Sequence, residues 1–257
     1  MYRPRTDPLH DLHRSARRGR RRAPRRLLAV APASHSAPVS STAPAAAPPA
    51  APSSPTARRG ACVFSPSTGP AVKDVGTPPA QPPYTSTVKA TLTTGLGDIG
   101  LGLDGRAAPC TVDSFAYLAT KDFFDRTSCH RLTTGALKVI QCGDPTATGS
   151  GGPGYRYDEE NLPKADPGKE TATYHKGTLA MANAGPGTNG SQFFMVYGDS
   201  ELPPNYTVFG EITSGMDILE QVARAGTDNA NGEGDGAPKK RLTLQDVTIA
   251  GSQAKRL

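Results

Sequence analysis

Tryptophan is absent from the 257 residues of this chain, so no indole takes part in any ligand contact. Long apolar runs are missing too. None approaches the roughly 18 residues that a membrane-spanning helix requires. Cysteine is sparse: Cys62, Cys110, Cys129 and Cys142 show no Cys-x-x-Cys spacing, and the five histidines do not cluster with them, which argues against a zinc site. The glycine-rich run at 149–154 is followed by no Gly-Lys-Ser or Gly-Lys-Thr, which removes a nucleotide-binding P-loop. Gly190-Ser191 lacks the Gly-x-Ser-x-Gly context of a hydrolase nucleophile. Acidic residues are nearly missing from the first 60 positions, which hold 12 Arg against Asp7 and Asp11 alone.

What is present is unevenly distributed. Of 25 prolines, 16 precede Thr85, in stretches such as 43–52 that carry little bulky apolar surface. Residues 1–85 are therefore expected to be a disordered tail, first Arg-rich and then Pro/Ala-rich, and residues 86–257 a single domain. The formal charge of +6 resides in the tail, leaving 17 basic against 21 acidic residues from Ala61 onward. That balance gives the folded domain no nucleic-acid signature, whereas the tail has the charge to meet an anionic surface. The Arg block at 17–26 followed by Leu27, Leu28, Ala29 and Val30 has the opening of a secretory signal, interrupted by Pro32. Together with an even cysteine count this favours an extracytoplasmic location over a cytoplasmic one, unpaired buried thiols being the alternative reading.

Within the domain, Val88, Ala90 and Leu92 alternate with polar residues, as do Ile99, Leu101 and Leu103 beyond a turn at 94–97, which predicts a β-hairpin. Val112, Phe115, Ala116 and Ala119 recur at helical spacing behind Pro109, and Met216, Leu219, Val222 and Ala223 share a helical face. Segments 178–181, 192–197, 207–211 and 242–249 read as strands. Many short strands with two helices point to an antiparallel barrel rather than a parallel α/β sheet.

Taken singly, Arg131 after a strand, Asn183 among glycines and the pair Phe193-Phe194 would be an ion-pair residue, a turn former and core. Their order and spacing are more specific. Gly177-Thr178-Leu179-Ala180-Met181-Ala182-Asn183-Ala184-Gly185 and Thr188-Asn189-Gly190-Ser191-Gln192-Phe193-Phe194 lie between His130-Arg131, Gln141 and Gly143-Asp144 upstream and Val208-Phe209-Gly210 downstream. This pattern resembles the cyclophilins, peptidyl-prolyl cis/trans isomerases, over about residues 86–250. The resemblance implies a closed eight-stranded antiparallel barrel capped by two helices, acting without cofactor or metal on X-Pro bonds of polypeptides as a monomer. By the same resemblance Arg131 is the catalytic cation. Gln141 helps to hold it and the substrate carbonyl, Asn183 bonds the peptide through its main chain, and Gln192 adds a side-chain contact. Phe194 floors a proline pocket with Val139, Leu137, Ala182, Leu202 and Tyr206, and Gly149 lets the substrate backbone approach.

The sequence departs from the best-known pattern around that pocket. Two extra residues lie between Arg131 and Gln141, Lys138 stands where an aromatic is expected, with Leu137 the nearest apolar substitute, and Glu201 replaces the indole that contacts cyclosporin in many relatives. Weak cyclosporin binding is the expectation. The rival reading is a domain that binds proline segments without turnover. Cys129 and Cys142 flank the altered loop on neighbouring strands, where the resemblance allows a cross-strand disulfide, with Cys110 an alternative partner and Cys62 in the tail left unassigned.

Overall fold

The structure, a computed structural model, describes residues 60–69 and 71–251. The strands are β1 Ser65–Pro66, β2 Thr87–Thr94, β3 Gly97–Asp104, β4 Thr127–Ser128, β5 Arg131–Thr133, β6 Val139–Cys142 and β7 Tyr155–Arg156, then β8 Ala172–Tyr174, β9 Thr178–Met181, β10 Phe193–Val196, β11 Ser200–Leu202, β12 Val208–Ser214, β13 Asp235–Gly236 and β14 Thr243–Ile249. Helix α1 is Pro109–Thr120 and α2 is Met216–Ala225. The main sheet is antiparallel, in the order β13-β5-β6-β10-β9-β12-β3-β2-β14-β4. It is a curled sheet of an all-β fold. The hydrogen-bonded order runs from β13 to β4 with no pair joining those two, so the strand pairing by itself does not draw the closed ring of eight that the resemblance implies.

Alternation decides where side chains go. In β2 and β3, Val88, Ala90, Leu92, Ile99, Leu101 and Leu103 are buried, and the hairpin register pairs Leu92 with Ile99 and Ala90 with Leu101. Both helices close over this face, α1 contributing Val112, Phe115 and Leu118 and α2 contributing Ile218, Leu219 and Val222. The predicted hairpin and both helices are present. Pro109 begins α1, where its missing N–H costs nothing. Ala108 gives that helix no side-chain cap, and Glu160, from a distant loop, supplies one: its Oε1 accepts the Thr111 N–H at 2.6 Å.

The expected domain start at residue 86 differs from what is seen. Residues 60–69 and 71–85 form a strap laid on the domain, while residues 1–59 lie outside the described residues. Its β1 pairs with β7, Phe64 meets Tyr155 and Tyr157 edge-on, and Cys62 is bonded to Cys110 at the start of α1. Lys73 donates from Nζ to the carbonyls of Asp122 and Phe123 at 2.8 Å each, and the Tyr117 hydroxyl donates to the Val75 carbonyl. A covalent tie and a few anchored side chains fix this segment, so its proline content and weak apolar content were poor guides to its order. Cys129 and Cys142 form the second disulfide. No helix among the described residues is long and apolar enough to cross a membrane.

Candidate active site

Four neighbouring strands set out the site. Arg131 of β5 stands opposite Gln141 of β6, Gln141 opposite Phe194 of β10, and Phe194 opposite Ala180 of β9. Directly paired residues of an antiparallel sheet share a face, so one row carries Arg131, Gln141, Phe194 and Ala180 on the side away from the main core. Period-two alternation divides the phenylalanine pair: Phe193 enters the main core with Met195, whereas Phe194 and Val196 join a second, smaller apolar cluster.

That second cluster gathers every apolar residue expected at the proline pocket. Val139 and Phe194 are its buried floor, and half-buried Leu137, Ala182, Leu202 and Tyr206 stand around them. The Phe194 and Tyr206 rings meet edge-on, with centroids 5.5 Å apart. Phe194 is only 4% exposed, so the half-buried residues around it cover most of this apolar base. Leu137 takes the apolar place beside it. Lys138 turns instead toward Gly198, where a Cβ would come within 2.6 Å of its Cδ.

Tyr174 was not foreseen. It is a buried member of the same cluster with its ring against those of Phe194 and Tyr206, and its hydroxyl lies within hydrogen-bonding distance of the carbonyls of Pro203 and Tyr206. Burial pushes that hydroxyl up to about 12, so it remains a donor throughout the physiological range.

The polar groups form two linked sets. Arg131 donates from Nε to Asp235 Oδ1 at 2.8 Å and from Nη2 to Oδ2 at 2.6 Å, and Asn231 donates to the same carboxylate at 3.2 Å. This fork raises the guanidinium pKa above its ordinary value and holds the Asp235 carboxyl below the usual range, the hydrogen bond between them being the largest cause for each. Two of the five N–H donors are used, leaving three for a ligand. In the second set, Gln141 Nε2 donates to Gln192 Oε1 at 2.9 Å, and Gln192 Nε2 donates to the carbonyls of Gly149 and Gly151 at 2.9 and 3.0 Å.

Two expected roles change accordingly. Gln141 lies beside Arg131 in register, but its amide is bonded to Gln192, and the group that holds Arg131 is Asp235. Gly149 does not present an open backbone: its carbonyl accepts from Gln192, and its N–H donates to Asp144 at 2.7 Å. Burial alone would raise the Asp144 carboxyl, but bonds from the Thr146 hydroxyl and from the N–H groups of Gly151, Thr146 and Gly149 outweigh it and bring it down to about 2.

Asn183 lies across a groove from this loop. Its side chain is used internally, donating to the Asn205 carbonyl at 2.9 Å and accepting the Gly185 N–H at 3.2 Å. Among the described residues no hydrogen bond uses its main-chain N–H or carbonyl, which leaves both for an extended peptide. The groove, about 500 Å³, is bounded by Asn183, Gln192, Gly151 and the strap's Ser67, Thr68 and Gly69. A second groove, also about 500 Å³, holds Arg131, Asp235 and Asn231, and Gln141 and Gly149 border both. The cation, the amide relay and the free backbone edge thus lie along two adjoining grooves, and the apolar cluster adjoins them through the Gln141–Phe194 pair. Asp235 had no signal in the sequence, since it lies 104 residues from Arg131 in a Gly/Asn/Asp-rich segment that reads as a turn.

Comparison with known proteins agrees with this geometry. The family model described as "Cyclophilin type peptidyl-prolyl cis-trans isomerase/CLD" matches residues 89–249. The chain is 47% identical over 197 residues to a probable peptidyl-prolyl cis-trans isomerase B of Mycobacterium leprae, covering 73% of this chain and 66% of that protein. It is also 47% identical over 211 residues to the probable isomerase B of Mycobacterium tuberculosis, covering 76% and 66%. It therefore spans 66% of the length of these curated relatives. A cyclophilin-type isomerase of Cryptosporidium parvum superposes with a TM-score of 0.53 at 28% identity, covering 63% of this chain and 97% of that one. The same protein has also been solved in the presence of the dipeptide Ala-Pro.

Proposed function

The chain belongs to the cyclophilin-type peptidyl-prolyl cis-trans isomerase family, and from that membership we propose that it accelerates rotation about X-Pro peptide bonds in polypeptide substrates. The observation that carries this reading is the row Arg131–Gln141–Phe194, which sets a permanently charged donor beside the apolar cluster around Phe194, the surface that would seat the prolyl ring. Rotation breaks no covalent bond. Its barrier of about 18–20 kcal/mol comes from amide conjugation, so the site has only to bind the twisted amide better than either planar isomer. Twisting localises the lone pair on the prolyl nitrogen, and the free N–H groups of Arg131 stabilise that nitrogen as it becomes an acceptor. Asp235 fixes the far edge of the guanidinium, Gln141 and Gln192 meet the substrate carbonyl side, and the Asn183 main chain aligns the peptide.

The test is an exchange assay on a short X-Pro peptide, by NMR or protease coupling, comparing the chain with Arg131→Ala and Phe194→Ala. Removing one preorganised donor of this kind costs about 10²–10³ in turnover. Arg131→Ala is expected to fall in that range in kcat/KM, and Phe194→Ala to act mainly on KM. If the parent binds the peptide without accelerating exchange, the domain is a proline-binding module.

Further parts of the reading rest on other features. β4 and β5 are separated only by Cys129 and His130. β4 pairs with β14 and β5 with β6, so the two short strands act as one that closes an eight-stranded barrel. All four cysteines are paired, which supports maturation in an oxidising, extracytoplasmic compartment. Exposed large apolar side chains among the described residues are scattered at Val63, Val72 and Leu162, which suits a monomer. Cyclosporin binds weakly, because Glu201 is an exposed carboxylate bonded to Lys169 and Thr171 that an apolar ligand would have to desolvate. The domain's acidic balance keeps it from nucleic acid, and binding to anionic surfaces falls to the Arg-rich tail.

A further inference from the structure

The strap lies outside the residues that define the family, which begin at 89, yet it borders the substrate groove. Its contact with the loop at 149–154 is close and backbone-mediated. Ser67 N–H donates to the Gly154 carbonyl at 2.9 Å and Val72 N–H to the Gly152 carbonyl at 3.2 Å. A Cβ at Gly151 would come within 2.9 Å of Val72 Cγ2 and 2.0 Å of Asp144 Oδ1, and one at Gly154 within 2.7 Å of Ala71 Cβ. Glycine is thus required there because the strap and Asp144 occupy the space. The same loop offers the Gly149 and Gly151 carbonyls to Gln192. Beyond the loop, Ser67, Thr68 and Gly69 line the same groove as Asn183 and Gln192. Two anchors remote from the groove hold the strap: the Cys62–Cys110 disulfide and the Lys73 bonds to the end of the turn after α1.

We propose that the strap is a wall of the substrate groove, with Ser67, Thr68 and Gly69 determining which side chains beside the proline are accepted, and that the Cys62–Cys110 disulfide keeps this wall in place. The inference rests on the isomerase reading and adds a selectivity element to it. Small side chains at the wall leave the groove width to be set by the position of the strap backbone. A bulkier wall narrows it, and a released strap widens it.

The experiment uses the full chain and a series of proline peptides in which each residue flanking the proline is varied from Gly to Phe. The readout is the ratio of kcat/KM for bulky against small residues. Thr68→Phe alters an exposed residue and is expected to lower that ratio at least fivefold at one flanking position. Cys62→Ser with Cys110→Ser is expected to raise it at the same position, Arg131 being untouched in both. Ratios within twofold of the parent in both variants overturn the proposal. If the double serine variant does not fold, Thr68→Phe decides alone. If the parent binds peptides but does not accelerate exchange, the isomerase reading fails separately, and the same ratios are taken from peptide dissociation constants by NMR titration.

Discussion

At the scale of single residues, the guanidinium on which the proposed chemistry depends is held by a carboxylate that the sequence did not reveal. Asp235 has two opposing effects on Arg131. It fixes the fork in one orientation, and it offsets part of the positive charge offered to the prolyl nitrogen. The pair is partly exposed, with side chains 38% and 25% accessible, so solvent screens the charge effect and orientation is the larger contribution. Asp235→Ala is therefore expected to lower kcat/KM about tenfold, mainly through kcat, as Arg131 samples other rotamers. Asp235→Glu should recover part of that loss, and unchanged kcat in both would show that Arg131 needs no such partner. Residue-level legibility followed the same division. Gln192 and Phe194 were recognisable because one continuous segment carries them and Arg131 because His130-Arg131 stands in order upstream of it, while Tyr174 and Asp235 reach the site only through β8 and β13, strands of three and two residues. No periodicity can be read from so few positions.

At the scale of elements, α1 shows how far a pattern carries. Its apolar spacing and leading Pro109 made it readable, but one of its buried residues is an aspartate. Asp113 is 3% exposed, and its Oδ2 has no hydrogen-bond partner, in contrast to Asp144 with its ring of donors. Burial accordingly raises the Asp113 carboxyl to about 6. The folded state then binds a proton that the unfolded chain has already released. Stability therefore falls as pH rises from about 4 to about 6, and the full cost is present above that. Asp113→Asn removes the ionisation and is expected to raise unfolding stability by about 1–3 kcal/mol at pH 7.5, with no gain at pH 4. Urea melts at the two pH values measure this, and equal shifts at both would mean that Asp113 does not titrate in this window. The hairpin β2–β3 was legible for the same reason as α1, because eight-residue strands give alternation room to show. The strap was not: its two-residue strand and proline-rich composition carry no period, and its order depends on Cys110 in a different element.

For the molecule as a whole, the two disulfides act at different points. Cys129–Cys142 closes 13 residues beside the β5–β6 pair that carries Arg131 and Gln141, whereas Cys62–Cys110 spans 48 and ties the strap to the domain. By loop-closure entropy the longer link is worth about 4 kcal/mol and the shorter about 3 kcal/mol, native strain aside. The boundary of the functional unit follows from this. A chain beginning at residue 60 keeps Cys62, the β1–β7 pair and the Lys73 anchor, whereas one beginning at 86 lacks all three and leaves the loop at 149–154 without its outer contact. Removal of residues 1–59 is expected to leave exchange catalysis and the thermal midpoint unchanged, while abolishing any salt-sensitive attachment to anionic vesicles that the Arg-rich tail provides. Removal of residues 1–85 should lower the midpoint by several degrees and change peptide selectivity in the same sense as the loss of the Cys62–Cys110 bond. Calorimetry and the peptide series on the two truncated chains separate these contributions. Equal behaviour of both chains would place the domain start at 86 and leave the strap without a role in either stability or selectivity.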